Sequence, residues 1–241
     1  LNEIGIDHFA VATIDEGIQL RKRGIEGEIL ILGYTSPLRT PELSHYDLTQ
    51  TAVDISHAVA LNNGGKSIKT HIKVNTGMNR LGENFNHVSG IADLFKFKNL
   101  EITGIFTHLC VSDSSKMDDI TFTNEQIRNF YELLSELKSK NIRIPIIHIQ
   151  SSYGVLNYPG LMCDYARIGI VLYGVFSTSN SRTRLSPDLR PVLSLKSRVV
   201  LIRTVESGEY VGYGRNFIAK RKTKIAIISI GYGDGIPRCL S

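Results

Sequence analysis

The sequence predicts an α/β protein, a barrel of parallel βα units followed by the opening part of an all-β domain. From Gly5 to about Gly174, short runs rich in β-branched residues alternate with amphipathic stretches, the rhythm of parallel βα units. Several of those runs are apolar almost throughout, as strands covered on both faces must be. After Gly174 the chain turns polar and then resumes with runs that read only as strands. Its 241 residues, 42% of them hydrophobic, suffice for one large domain and part of another.

At the N-terminus, Leu1 to Asp7 has the pattern of a last helical turn closed by Gly5, so the sequence is expected to open in mid-domain. Strands are expected at His8–Thr13, Glu28–Gly33, Leu48–Asp54, Ile68–Asn75, Glu101–Leu109, Ile144–Ser152 and Ala166–Gly174. That is one fewer than the roughly eight that close such a barrel. Helices are expected at Asp15–Arg23, stopped by Gly24, at Phe85–Phe95, and at Thr123–Lys140, where Thr123 and Gln126 have the spacing of a capping box. The polar stretch Ser177–Ser186 marks a boundary, giving a barrel over residues 1–176 and a β domain over 177–241. In the β domain, Leu193–Thr204 and Lys224–Ile230 read as strands flanking the turn Ser207-Gly208-Glu209.

The 28 basic and 23 acidic residues leave a formal charge of +5, and most of the basic residues are scattered. The short cluster Lys220, Arg221, Lys222 and Lys224 fits a solvated turn better than a nucleic-acid contact, so a mild preference for small anions is all the charge implies. Cys110, Cys163 and Cys239 lie far apart with neither CxxC spacing nor a Cys/His cluster, which points to reduced thiols in a cytoplasmic compartment and to no metal site. No apolar run approaches the roughly 20 residues that cross a bilayer, and no signal-peptide pattern opens the chain. Gly65-Lys66-Ser67 ends like a phosphate-binding loop, but Ala60 stands where that motif's first glycine belongs, and nucleotide binding is rejected.

In parallel βα barrels the chemistry collects at the carboxyl ends of the strands. The run from His71 to Gly82 leaves a buried-looking strand, turns at Gly77 and presents Arg80, which suits a carboxylate or phenolate but equally an ordinary surface turn. Thr107-His108 ends the next strand, followed by Ser112 and Asp113; a histidine there either tunes a neighbouring acid or base or is simply a structural hydrogen-bonding residue. Ser151-Ser152 precedes a helical stretch, an arrangement that suits a phosphate and is also plain helix capping. Arg167 interrupts an apolar run, and a buried guanidinium is costly without an acceptor, which favours a functional role. Gly169 and Ile170 offer backbone amides beside it. In the β part, glycines bracket Tyr213, and Tyr232 stands in the glycine-spaced loop Gly231–Arg238; both segments can present a phenol, and both can be ordinary turns.

Taken in order, His8–Ala12 with Asp15-Glu16, Lys73–Gly82, Thr107-His108, Arg167–Gly174, Val211–Gly214 and Gly231–Arg238 make the chain resemble the alanine racemase family over essentially its whole length. The resemblance implies a TIM-type (β/α)8 barrel whose first strand lies outside the sequence, a partial C-terminal β domain, pyridoxal 5'-phosphate as cofactor, and a homodimer with active sites shared between subunits. It implies that Arg167 meets the pyridine nitrogen, and that Ser152 with the amides of Gly169 and Ile170 holds the phosphate. Arg80 would contact the cofactor phenolate and the substrate carboxylate with Lys73 beside it, either as a plain charged lysine or carbamylated and bracing that arginine, as in some members. Tyr213 would be one of two catalytic bases with His108 tuning it, while Tyr232, Asp113 and Arg238 line the substrate entrance. The second base, a lysine that also anchors the cofactor, would sit on the strand before Leu1, which would leave the fragment alone inactive.

The activity so implied is interconversion of L- and D-alanine, supplying D-amino acid for peptidoglycan. A serine racemase of the glycopeptide-resistance type, whose parent carries a membrane domain, is the alternative raised by Gly233 and Cys239. A non-catalytic pyridoxal-phosphate-binding barrel lacks a segment like Val211–Gly214, and a decarboxylase of the same barrel type fits Met78–Gly82 and Arg167–Gly174 poorly.

Overall fold

Side chains alternate across a strand, and in this barrel the alternation separates two kinds of interior. Residues 1–178, 181–237 and 239 are described by the computed structural model, in which the chain divides into two units, Leu1–Arg190 and Pro191–Ser241.

The first unit runs β1 (His8–Val11), α1 (Ile14–Lys22), β2 (Glu28–Ile31), α2 (Thr40–His45), β3 (Thr49–Ala52), α3 (Ile55–Asn62), β4 (Ile68–Asn75), β5 (Glu83–Asn84), α4 (Val88–Leu94), β6 (Leu100–Phe106), α5 (Met117–Ser139), β7 (Ile147–Ser151), α6 (Ser152–Asn157) and β8 (Tyr165–Arg167). The strands bond in the order β1-β2-β3-β4-β6-β7-β8, all parallel, with the short β5 beside β4. The edge strands nearly close the sheet, since the Tyr165 hydroxyl and His8 Nε2 are hydrogen-bonded at 2.6 Å. No helix among the described residues is long and apolar enough to cross a membrane.

One strand face is apolar and buried beneath the helices. Ile29, Ile31, Ile72, Val74, Ile105 and Ile149 pack with Ile14, Leu43, Leu61, Leu94, Phe130 and Leu133 in one continuous core. The opposite parity carries Glu28, His71, Lys73, Phe106, His148 and Arg167, so the inside of the barrel is largely polar. Helix α1 starts where the sequence asks it to: Thr13 Oγ1 accepts from the Glu16 amide and Glu16 Oε2 accepts from the Thr13 amide, a reciprocal cap. At the N-terminus, Asn2–Ile4 is a 3-10 turn closed by Gly5 in the left-handed conformation.

Several expected boundaries move. Helix α5 begins at Met117, so Thr123 is not its cap; that residue is fully buried and its hydroxyl donates to Asp119 O at 2.8 Å. Asp118 and Asp119 in the first turn favour the earlier start by complementing the helix dipole. The helix expected from Phe85 begins at Val88, because Glu83 and Asn84 pair with Val74 and Asn75 instead. The last barrel strand ends at Arg167 rather than Gly174: Ser152 Oγ takes the amides of Gly169 and Val171, and Ile170–Tyr173 becomes a 3-10 turn. Helix α2, which carries Pro41 in its first turn, and helix α3, capped by the Asp54 side chain, have no counterpart among the expected elements.

The second unit contains β9 (Val199–Val205), which pairs antiparallel with β12 (Thr223–Ile228), and the short antiparallel pair β10 (Tyr210–Val211) and β11 (Phe217–Ile218). β9 starts at Val199, six residues after the expected Leu193. Gly208, at φ 90°, forms the foreseen turn and donates to Ala219 O at 2.7 Å.

Phe130 has no solvent exposure, whereas Met117 at the start of the same helix is 74% exposed. Phe130→Ala is expected to cost about 3–5 kcal/mol and Met117→Ala no more than about 0.5 kcal/mol, which urea unfolding of the two variants would resolve.

Candidate active site

The carboxyl ends of β4, β6, β7 and β8 bring Lys73, His108, Ser152 and Arg167 together. Arg167 is the hub. Its Nη1 donates to His148 Nδ1 at 2.6 Å, and its Nη2 donates to Thr107 O at 2.8 Å and Ile149 O at 3.1 Å and approaches His108 Nδ1 at 3.3 Å. Every one of these acceptors is neutral. The guanidinium also lies 5.0 Å from the centroid of the Phe106 ring, and Lys73 Nζ lies 5.7 Å from the same ring. Desolvation lowers the Arg167 pKa to about 10, which leaves it protonated at neutral pH.

This concentrated positive charge controls its neighbours. Burial first, then Arg80 and Arg167, brings the Lys73 amine down to about 8. Burial, then Arg167, Lys73 and Arg80, brings the His108 imidazole down to about 4, so it is neutral at physiological pH. Since Arg167 donates to Nδ1, the His108 proton resides on Nε2, away from the guanidinium.

Arg80 is exposed, on the loop after β4. That loop is shaped by Asn75, whose Oδ1 accepts from the amides of Gly77 and Asn79 at 3.1 and 3.0 Å. Gly82, at φ 116°, closes it where a Cβ would lie 2.7 Å from Asn75 N.

Ser152 is buried, and its hydroxyl accepts from Gly169 N at 3.0 Å and Val171 N at 3.4 Å. Serine and Gly169 therefore meet as expected, with Val171 joining them; Ile170 lies between, 40% exposed. Asp113 is exposed on the loop after β6. Tyr213, 83% exposed, and Tyr232, on a 3-10 turn, belong to the second unit. Arg238 lies outside the described residues.

Two contributors, His148 and Gln126, have no site role in the sequence pattern. His148 fills the Nη1 site of Arg167 and stacks on Phe106 at 4.6 Å. Gln126, first read as part of a cap, is fully buried: its Nε2 donates to His108 O and Thr76 Oγ1, and its Oε1 accepts from Cys110 N. It ties the ends of β4 and β6 to α5. The alternation of polar and apolar residues in His71-Ile72-Lys73-Val74 was the available signal for a polar barrel interior.

A nearly closed parallel barrel with a cationic cluster at its strand ends, free of carboxylates at hydrogen-bond distance from Arg167 among the described residues, is the class of site that binds an anionic ligand. Comparison with known proteins narrows it. The alanine racemase N-terminal domain matches residues 1–177 and the alanine racemase C-terminal domain matches residues 192–241, so the chain belongs to the alanine racemase family. It is 49% identical over 238 residues to an amino-acid racemase of Enterococcus faecalis, covering 99% of this chain and 33% of that protein. It is 45% identical over 241 residues to a serine/alanine racemase of Enterococcus gallinarum, covering 100% of this chain and 34% of that protein. The alanine racemase structure of Clostridium difficile 630 superposes with a TM-score of 0.86 at 32% identity, covering 99% of this chain and 63% of that one. The chain thus spans about a third of the length of the two Enterococcus relatives.

The lowered pKa of Lys73 is expected to make stability depend on pH. Its folded pKa of about 8 lies below the ordinary 10.5, so between those values the unfolded chain binds more protons and stability rises with pH. Below pH 8 the full penalty applies, on the order of 3 kcal/mol from a shift of 10.5 to about 8. Lys73→Met is therefore expected to melt at a higher temperature than wild type at pH 7 in carbonate-free buffer, with the gap closing as pH approaches 10.5; parallel melting curves at all pH values would contradict the lowered pKa.

Proposed function

We propose that the protein is a pyridoxal-phosphate-dependent amino-acid racemase working by two bases, with alanine as first substrate and serine as second. The observation that carries this reading is the donor pattern of Arg167, a protonated guanidinium held by neutral acceptors, with no acidic partner at hydrogen-bond distance among the described residues. Its Nε–H and second Nη1–H have no protein acceptor among the described residues, which fits a neutral aromatic nitrogen. Ser152 with Gly169 and neighbouring Ile170 fits the phosphate, and Arg80 with Lys73 fits the phenolate and the substrate carboxylate.

When bound, pyridoxal phosphate withdraws electrons from the substrate Cα and acidifies its proton. A donor that stays protonated leaves the pyridine nitrogen without a proton of its own, limiting that withdrawal and favouring simple proton return over side reactions. Tyr213 removes or returns the proton on one face. The neutral His108 assists by donating its Nε2–H to the phenolate that this leaves. In this reading Tyr213 comes from the second subunit of a homodimer, Tyr232, Asp113 and Arg238 line the entrance, and a lysine upstream of Leu1 is the opposite base. The lowered pKa of Lys73 supports carbamylation, which requires the neutral amine. In the alanine reading, the enzyme supplies D-alanine for peptidoglycan from the cytoplasm.

Serine remains a specific second reading because a relative that this chain matches end to end at 45% identity is named a serine/alanine racemase. Comparing kcat/KM for L-alanine and L-serine in the full-length protein decides it: alanine favoured at least tenfold supports the first reading, and serine equal or better replaces it.

In the full-length protein, Tyr213→Phe is expected to slow wash-in of solvent deuterium at Cα of one enantiomer by about 10²–10⁴-fold while the other enantiomer exchanges far more readily. Equal loss for both would remove Tyr213 as a face-specific base.

A further inference from the structure

Inside the barrel, a buried polar chain continues from Arg167 away from the strand ends. His148 and His71 are 2% and 1% exposed, and Glu28 stands at the start of β2. The order of donors along this chain is favoured from both ends, by a guanidinium that only donates and a carboxylate that only accepts. Arg167 can only donate, so His148 Nδ1, 2.6 Å away, accepts. The His148 proton then lies on Nε2, 2.9 Å from His71 Nδ1, which must accept in turn. That leaves the His71 proton on Nε2, 3.2 Å from Glu28 Oε1. This last contact has ion-pair distance without hydrogen-bond alignment, and neither atom has a hydrogen-bond partner among the described residues, so the link at this end is electrostatic.

The chain is built into the fold. A Cβ at Gly104 would sit 2.6 Å from Cε1 of the His71 ring, so the glycine on β6 makes room for that imidazole. The His71 and His148 rings lie 5.0 Å apart, and His148 is stacked on Phe106, so neither ring turns freely. Although burial opposes its ionisation, the adjoining His71 ring holds the Glu28 carboxyl below the usual range, so the far end carries a negative charge.

Were the Glu28 end to lose its charge, the two imidazoles could adopt the reverse tautomers. His148 would then turn an Nδ1–H towards Arg167, and two donors would face each other. We infer that Glu28 is a positioning residue for Arg167, the distal counter-charge that, through His71 and His148, orders the donors around the guanidinium. This rests on the reading of Arg167 as the donor to the cofactor's pyridine nitrogen and deepens it.

The test uses the full-length protein labelled with ¹⁵N-histidine, freed of cofactor, as wild type, Glu28→Gln and Glu28→Asp. Ring ¹⁵N spectra of the wild type are expected to show His71 and His148 both protonated on Nε2 with Nδ1 bare; a proton on Nδ1 of either ring overturns the inference without any variant. In Glu28→Gln both ring signals are expected to move, and affinity for added pyridoxal phosphate to fall roughly tenfold, with Glu28→Asp recovering most of both. Unchanged ring signals and affinity in Glu28→Gln overturn the inference. Failure of the wild type to bind pyridoxal phosphate would instead refute the cofactor reading, while the ring tautomers still decide whether the chain is ordered as described.

Discussion

A guanidinium placed inside a parallel barrel has to find acceptors, because burying it without them costs several kcal/mol. In this chain the acceptors for Arg167 are two backbone carbonyls and two imidazoles, drawn from the ends of β6 and β7. Much of the site follows from that constraint. His108 and His148 must be neutral and turn their Nδ1 lone pairs inward, Lys73 must share a confined space with a permanent cation, and Phe106 must offer its ring to both charges.

The barrel tolerates this arrangement because its strands divide the labour between their faces. The outward isoleucines and leucines seal against the helices and supply the hydrophobic stabilisation. The inward positions are thereby free to carry charge, and Arg167, His148 and His71 form one hydrogen-bonded chain there. Gln126 reaches in from α5 to join the ends of β4 and β6, which couples the packing of the longest helix to the position of His108.

The order of elements was legible along the chain because periodicity and glycine placement are local signals: Gly5, Gly24 and Gly208 all take positive φ where a stop or turn was expected. Boundaries shifted wherever a distant group intervened. Ser152 captured the amides of Gly169 and Val171 and ended β8 early, and the pairing of Glu83 and Asn84 with β4 moved the start of the helix expected from Phe85 to Val88. Thr123 looked like a cap because its spacing to Gln126 is that of a cap; only packing reveals that both residues face the core.

By itself, the sequence determined the class of fold, the family resemblance and the polar residues at the strand ends, since these rest on residue type and on spacing along the chain. Tertiary structure alone decided which of those residues meet. That Arg167 is bound by neutral acceptors, that Lys73 loses its proton more easily than a free lysine, and that Glu28 faces Arg167 across two histidines all depend on through-space distance and desolvation. Neither quantity is written in the order of the residues, because Glu28, His71, His148 and Arg167 come from four different strands and become neighbours only when the barrel closes.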